Sequence, residues 1–169
     1  MRRRALAIGA VAVVLVTAVT VAMASGTVVH VKGTQAFEPN ALIYSTFRFS
    51  PERIVVSSGD RMRFEEDASF AEPHTVTVVE PTDVPKDAAE VFMCEACNDA
   101  LNAHFGSGGL VRRVEDDADD ENGLDGPGDS LFFNPEGDIS VTVTAPAGTR
   151  LRFLCAIHPW MQGKIKVVD

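Results

Sequence analysis

Three side chains that bind soft metals stand at even spacing near the end of the sequence. In the stretch RFLCAIHPWMQG, Cys155, His158 and Met161 follow one another at intervals of three residues. Thiolate and thioether ligands are soft and imidazole is borderline, so this set favours copper over magnesium, calcium or manganese. A structural zinc site would use four cysteine or histidine ligands rather than a methionine. A site built from one thiolate, two imidazoles and a weak axial methionine still needs a second histidine.

The best candidate for that second histidine is His74. It stands between Pro73 and the alternating segment TVTVV, at the entrance of a predicted strand where loops meet. Its distance from Cys155 along the chain is no obstacle, because neighbours in a β-sandwich are often far apart in sequence. We expect His30 to lie on an early strand and His104 on a helix surface, both without a special role.

These motifs resemble a known family. CAIHPWM resembles the ligand loop of the amicyanin-type cupredoxins, small blue copper proteins in which cysteine, histidine and methionine follow at this spacing. PHTVTV resembles their upstream histidine strand, and FSPERIVVSSGDRMRF resembles the strand, turn and strand before it. The resemblance covers about residues 45–80 and 138–169, and it does not cover 82–137.

The resemblance implies a ligand set. One type 1 copper ion would have His74, Cys155 and His158 as equatorial ligands and Met161 as the axial ligand. Many family members follow the upstream histidine with an asparagine that ties the two ligand loops together. This chain has Thr75 there, and a hydroxyl can make only part of the hydrogen bonds of an amide.

Four protein ligands leave no open position for a substrate, so we predict electron transfer and no enzymatic activity. The exit route would be His158, with its ring edge near the surface between Pro159 and Trp160. The resemblance implies an apolar docking patch there, and an exposed tryptophan suits a transient interface. We name Pro159 and Trp160 as candidate docking residues.

Two other classes of function stay open. A copper-binding protein could store, deliver or sense copper without relaying electrons. An enzyme could use Cys155 as a nucleophile beside His158, but that leaves Met161 and the strand pattern unexplained. A multicopper oxidase would need many more than the four histidines of this chain.

The pair Cys94 and Cys97 lies in a predicted helix. Positions three apart on a helix have Cα atoms about 5 Å apart, which is within the range of a disulfide. A disulfide is the first interpretation, and it would leave the electron-transfer hypothesis standing. The alternative is a second soft-metal site with Met93 and His104, which would favour copper delivery. A thioredoxin-like role has less support because no βαβ pattern surrounds the pair.

The first 24 residues are typical of an export signal. Arg2, Arg3 and Arg4 precede an apolar run, and Ala22-Met23-Ala24 matches a small-residue cleavage site. The alternative is an uncleaved membrane anchor, because residues 5–24 carry no charge and are just long enough to span a bilayer. Either way the rest of the chain would be extracytoplasmic: secreted, periplasmic or on the cell surface. Any membrane contact would be made through this segment alone.

Residues 25–169 are strongly acidic. The chain carries 15 basic and 24 acidic residues for a charge of −9, and the first 24 residues hold three of the arginines and no acid, so the remainder carries −12. This charge argues against nucleic acid and anionic membrane surfaces as partners. It suits a redox partner protein with a basic docking surface.

The elements that must hold these ligands read as one all-β domain over residues 25–169. About eight short alternating segments, bounded by proline and glycine, predict an antiparallel Greek-key β-sandwich of the cupredoxin-like kind. Residues 82–137 are too long for a hairpin loop and form an insertion before the last three strands. We predict a helix over 86–105 and a solvated acidic loop over 115–129, whose spacing misses the calcium loop of an EF-hand.

Overall fold

The computed structural model describes residues 26–106, 108–114, 123–135 and 137–169. The predicted export signal or anchor at 1–24 and most of the predicted acidic loop, 115–122, lie outside these ranges. In the described part of the chain, no helix is long and apolar enough to cross a membrane. The elements are β1 (Thr27–Lys32), β2 (Gln35–Glu38), β3 (Leu42–Ser45), β4 (Arg48–Ser50), β5 (Arg53–Ser57), β6 (Arg61–Glu66), β7 (His74–Val79), α1 (Ala88–Phe92), α2 (Glu95–Phe105), β8 (Arg113–Val114), β9 (Gly123–Leu124), β10 (Ser130–Phe133), β11 (Asp138–Val143), β12 (Arg150–Leu154) and β13 (Gln162–Val168).

Two sheets enclose the main core. One has the strand order β4-β1-β6-β11-β9 and the other β5-β13-β12-β7-β10-β8, while β2 and β3 form a separate hairpin. Side chains of strands alternate between the two faces, so every second residue of β11 and β13 is buried. Rings from both sheets meet between them, with Phe64 and Phe153 6.0 Å apart between centroids. The predicted all-β sandwich is therefore confirmed.

The sheets are mixed rather than purely antiparallel. Strand β1 runs parallel to β6, β5 parallel to β13, and β9 parallel to β11. Parallel pairs arise because the chain crosses repeatedly from one sheet to the other, so strands that become neighbours are not joined by hairpins. The described residues form more strands than the eight predicted. The sequence does not predict β2, β8, β9 and β10, because these strands are short and lack clear alternation.

Strand β7 is buried on both faces. All six of its residues are buried, although sandwich strands usually expose one face. His74, Val76 and Val78 point to one side, and Val76 and Val78 belong to the main core. On the other side, Val79 belongs to a second apolar cluster with Cys94, Cys97, Ala100, Leu154 and Ala156. The helical insertion therefore covers the outer face of this strand.

The predicted helix over 86–105 is interrupted once. Asp87 caps α1 by accepting a hydrogen bond from the backbone of Glu90, and Met93 ends that helix. Cys94 has an extended backbone and caps α2, because its sulfur accepts a hydrogen bond from the backbone N–H of Cys97. A residue with a capping conformation cannot continue the preceding helix, so two helices replace the one predicted.

Strand β10 lies inside the region predicted to be an insertion. It pairs antiparallel with β7, so that Ser130 lies opposite Thr77 and Phe133 opposite His74. Its four consecutive buried residues show no alternation, so the periodicity of the sequence does not predict this strand. The segment between β7 and β11 thus adds a strand beside the site as well as helices over it.

Candidate metal centre

Three of the predicted ligands meet in a buried cluster. His74 is the first residue of β7, Cys155 follows β12, and His158 lies in the loop from β12 to β13. Since β7 and β12 are antiparallel neighbours, the start of one strand lies beside the end of the other. The Sγ of Cys155 is 3.7 Å from Nδ1 of each histidine, and the two Nδ1 atoms are 3.3 Å apart. All three residues are buried.

This triangle of donor atoms has the size that a metal ion requires. With metal–nitrogen bonds of about 2.0 Å and metal–sulfur bonds of about 2.3 Å, spread at 120°, the separations would be about 3.5 Å between nitrogens and about 3.7 Å from sulfur to nitrogen. The observed 3.3 Å and 3.7 Å agree closely with these values. The donor set therefore fits an ion at its centre without rearrangement of the chain.

The charge states of the three groups also suit a metal. Burial lowers the pKa of His74 to about 3, and the neighbouring His158 adds to this effect. Burial also lowers the pKa of His158, although Glu72 opposes the shift. Both imidazoles are consequently neutral and able to donate a lone pair at pH 7. Burial raises the pKa of the Cys155 thiol, so a metal must displace its proton on binding.

Met161 is fully buried beside the cluster and belongs to the main core. Its backbone ties the ligand loop together: its N–H donates to the carbonyl of His158, and its carbonyl accepts from the N–H of Cys155. The N–H of His158 in turn donates to the carbonyl of Cys155. These three bonds close a compact loop that fixes Cys155 and His158. The axial role of Met161 stays a prediction.

Two glutamates lie behind the histidine rings. Nε2 of His158 is 2.9 Å from a carboxylate oxygen of Glu72, whose other oxygen accepts a short hydrogen bond from Gln35. Nε2 of His74 is 3.1 Å from Oε2 of Glu66, but the two atoms are not aligned for a hydrogen bond, and neither has a hydrogen-bond partner among the described residues. Burial raises the pKa of Glu66. Such outer carboxylates orient metal-binding imidazoles.

The environment of His158 differs from the prediction. Its ring was expected to reach the surface, yet the residue is only 6% exposed, and Glu72 covers Nε2. Pro159 is also buried, so Trp160, at 42% exposure, is the only exposed member of the two predicted docking residues. Trp160 packs its ring against His158 with centroids 5.2 Å apart. Glu72 and Trp160 therefore both contact the His158 ring and are themselves accessible to solvent.

Phe47 packs against both histidines of the cluster. Its ring centroid lies 5.3 Å from that of His74 and 5.1 Å from that of His158, and the residue is 2% exposed. This ring excludes water from one side of the cluster and limits rotation of both imidazoles. Phe47 lies just before β4 and belongs to no metal-binding motif, so the sequence does not predict this role.

Thr75 takes the place of the asparagine found in many members of the resembled family. Its hydroxyl accepts a hydrogen bond of 2.7 Å from the N–H of Ala156, and its own N–H donates to the sulfur of Cys155 at 3.3 Å. The hydroxyl therefore makes one hydrogen bond to the loop that follows Cys155, which is part of the set that an asparagine amide could make.

Cys94 and Cys97 form a disulfide, with Cα atoms 5.2 Å apart. The predicted disulfide is confirmed, and the alternative of a second soft-metal site is not supported, because both sulfurs are bonded to each other. His104 is fully buried, contrary to the surface position predicted for it. Among the described residues, Cys155 is the one free cysteine.

Fold and cluster together define a β-sandwich with a buried two-histidine, one-cysteine metal-binding cluster. No protein-family model and no curated protein sequence matches the chain. Similar solved structures include reduced auracyanin from Roseiflexus castenholzii (19% identity, TM-score 0.44, covering 86% of this chain and 99% of that one). Others are a purple cupredoxin from Nitrosopumilus maritimus (12%, 0.43, 83% and 98%) and the reduced Cu(I) form of an amicyanin variant (15%, 0.43, 85% and 82%). At these identities and TM-scores the likeness carries no argument, so the fold rests on its own strand topology and the site on its donor geometry.

Proposed function

We propose that the protein binds one type 1 copper ion and transfers single electrons between protein partners. The triangle of His74, Cys155 and His158 carries this proposal, because one thiolate and two imidazoles in a trigonal arrangement are the ligands of a blue copper site. Met161 is the proposed axial ligand. Copper bound there would supply one-electron chemistry by alternating between its Cu(I) and Cu(II) states.

The surrounding residues would keep the site suited to both states. Ligands that keep the same positions in both oxidation states keep the reorganisation energy of electron transfer small. The loop bonds among Cys155, His158 and Met161 fix the backbone. The ring of Phe47 and the carboxylate of Glu72 fix the imidazoles. The four proposed ligands are all buried, which keeps the site away from bulk water.

The proposed docking surface for a redox partner lies around Trp160. Phe92, at 88% exposure, lines one groove with Trp160 and Gln162, and Trp160 contacts the ring of His158. Exposed aromatic side chains of this kind suit a transient interface. The net charge of −12 on residues 25–169 would attract a partner with a basic surface, and salt would weaken that attraction. Export by residues 1–24 is part of the same proposal.

The alternative function is copper storage, delivery or sensing. A second metal site at Cys94 and Cys97 would favour this alternative over electron transfer. The two residues form a disulfide instead, which favours electron transfer. A buried cluster in which a carboxylate holds His158 also suits retention of the ion more than its release.

Repeated redox cycling of the copper-loaded protein in the presence of a Cu(I) chelator tests the proposal. We expect a reversible one-electron couple, with the copper retained through many cycles. The variant Cys94→Ser/Cys97→Ser is the control and should cycle in the same way, because the disulfide is outside the cluster. Transfer of the copper to the chelator on the first reduction would contradict electron transfer and favour delivery.

A further inference from the structure

A chain of buried hydrogen bonds runs from the ligand loop to the helical insertion. The N–H of Ala156 donates to the hydroxyl of Thr75, which lies 3.0 Å from the hydroxyl of Thr77. Thr77 is 2.8 Å from the hydroxyl of Ser130, and Ser130 is 2.8 Å from Nε2 of His104. We call these four side chains (Thr75, Thr77, Ser130 and His104) the hydroxyl chain.

The hydroxyl chain is isolated from solvent. His104, Thr75 and Ser130 are fully buried, and Thr77 is 2% exposed. Thr75 and Thr77 lie on the face of β7 that the insertion covers, and Ser130 pairs with Thr77 across the strands. Buried hydroxyl groups must satisfy one another because water cannot reach them, so each proton position depends on the next.

His104 fixes the direction of every bond in the hydroxyl chain. Its Nδ1 is 2.5 Å from the carbonyl oxygen of Val111, and a carbonyl can only accept, so Nδ1 carries the proton. In a neutral imidazole Nε2 is then an acceptor, and Ser130 must donate to it. Burial lowers the pKa of His104, which keeps the ring neutral. Each hydroxyl has one proton, so Thr77 donates to Ser130 and Thr75 donates to Thr77.

We infer that His104 is a positioning residue that, through Ser130 and Thr77, turns the proton of the Thr75 hydroxyl away from the sulfur of Cys155. The sulfur therefore receives the backbone N–H of Thr75, at 3.3 Å, without the second bond that this hydroxyl could supply. The Thr75 hydroxyl lies beside the segment that carries the sulfur, because it accepts from the N–H of Ala156 at 2.7 Å while the N–H of Thr75 itself reaches the sulfur. The effect on a bound copper rests on the proposed function.

The consequence for a copper site is electronic. Hydrogen bonds to the cysteine sulfur tune the reduction potential of a blue copper centre. A second bond would withdraw electron density from the thiolate, so the thiolate-to-copper band would move to shorter wavelength and the potential would rise. Interrupting the hydroxyl chain should free the Thr75 proton for the sulfur and produce both shifts.

Two substitutions at Thr77 and one at His104 test the inference. Thr77→Val removes the hydroxyl with little change of shape, Thr77→Ser keeps it, and His104→Phe removes the acceptor at the far end. Phe132→Leu is a control for loosened packing, because Phe132 contacts the His104 ring without belonging to the hydroxyl chain. With Cu(II) bound, we expect a blue-shifted band and a raised potential in Thr77→Val and His104→Phe. Thr77→Ser and Phe132→Leu should keep the wild-type values.

The metal-free wild-type protein gives an independent readout. The ring ¹⁵N resonances of His104 should show a proton on Nδ1 and none on Nε2. The opposite tautomer would overturn the inference, and so would a copper band and potential unmoved in both Thr77→Val and His104→Phe. If His104→Phe does not fold, the Thr77 pair decides. A wild-type protein without any blue band would contradict the proposed function, while the tautomer of His104 would still decide the direction of the hydroxyl chain.

Discussion

The metal-free protein should lose stability in mild acid because of His74. Burial lowers the pKa of this residue from 6.5 to about 3 in the folded state. Between these two values the unfolded chain binds a proton at His74 and the folded protein does not. Protons therefore favour the unfolded state, so the stability contributed by neutral His74 is complete above pH 6.5 and falls as the pH decreases.

The magnitude follows from the two pKa values. Between pH 7 and pH 5 the proton bound only by the unfolded chain should remove about 2 kcal/mol from the free energy of unfolding. The lowered pKa of His158 acts in the same direction. The raised pKa of Glu66 acts in the opposite direction, because there the folded protein binds the additional proton. A comparison with a variant lacking only His74 isolates its contribution.

Urea unfolding of the metal-free protein at pH 7, 6 and 5, with a chelator present, measures this contribution. We expect the wild type to lose about 2 kcal/mol more than His74→Phe over this range. The phenylalanine fills the buried space next to Phe47 without a titrating group. Equal losses in the two proteins would refute the reasoning. They would mean that the pKa of His74 is the same in the folded and unfolded states.

Three further substitutions test the surroundings of the cluster. Glu72→Ala should weaken metal binding about 10- to 100-fold in a competition titration, because His158 loses the carboxylate that orients it. Phe47→Ala should lower the free energy of unfolding by about 3–5 kcal/mol in urea, since it leaves a cavity beside both imidazoles. Gly163→Ala should cost about 1–3 kcal/mol in the same assay, because its Cβ would lie 2.2 Å from the ring of Phe153.

Matched controls accompany two of these variants. Glu52→Ala removes an exposed carboxylate that pairs with Arg53 and should leave metal affinity unchanged. A similar loss of affinity in both glutamate variants would mean that overall charge, not orientation of the ring, is responsible. Gly126→Ala adds a methyl group with no atom within 4 Å and should change stability by less than about 0.5 kcal/mol. An unchanged stability of Gly163→Ala would contradict the close packing on Phe153.

The sequence predicts the ligand cluster because the donor side chains and their spacing can be recognised within short segments of the chain. Cys155 and His158 stand three residues apart at a strand end, and His74 begins an alternating strand, so donor types and strand ends point to one edge of the sandwich. The groups behind the ligands carry no such signal. Glu66 and Glu72 are two of many acidic residues in the chain, and only the packing of the strands shows which of them face an imidazole.

The region between β7 and β11 shows the limit of sequence patterns most clearly. Alanine-rich composition predicts helix there, but the break at Cys94 depends on a cap that involves a sulfur atom. Strand β10 is buried on both faces and has no alternation, so periodicity could not reveal it. The sequence predicts a surface position for His104 because it does not predict β10, the strand that lies against this residue. The contact between His104 and Ser130 therefore could not be predicted either, because Ser130 is the first residue of β10.

The visible spectrum after addition of one equivalent of Cu(II) tests the central claim most directly. We expect an intense blue thiolate-to-copper band in the wild type and in Cys94→Ser/Cys97→Ser, and its loss in Cys155→Ser. This result would show that the sulfur of Cys155 binds the ion, as the triangle of donor atoms requires. A colourless wild-type protein, or a band that survives in Cys155→Ser, would contradict the account.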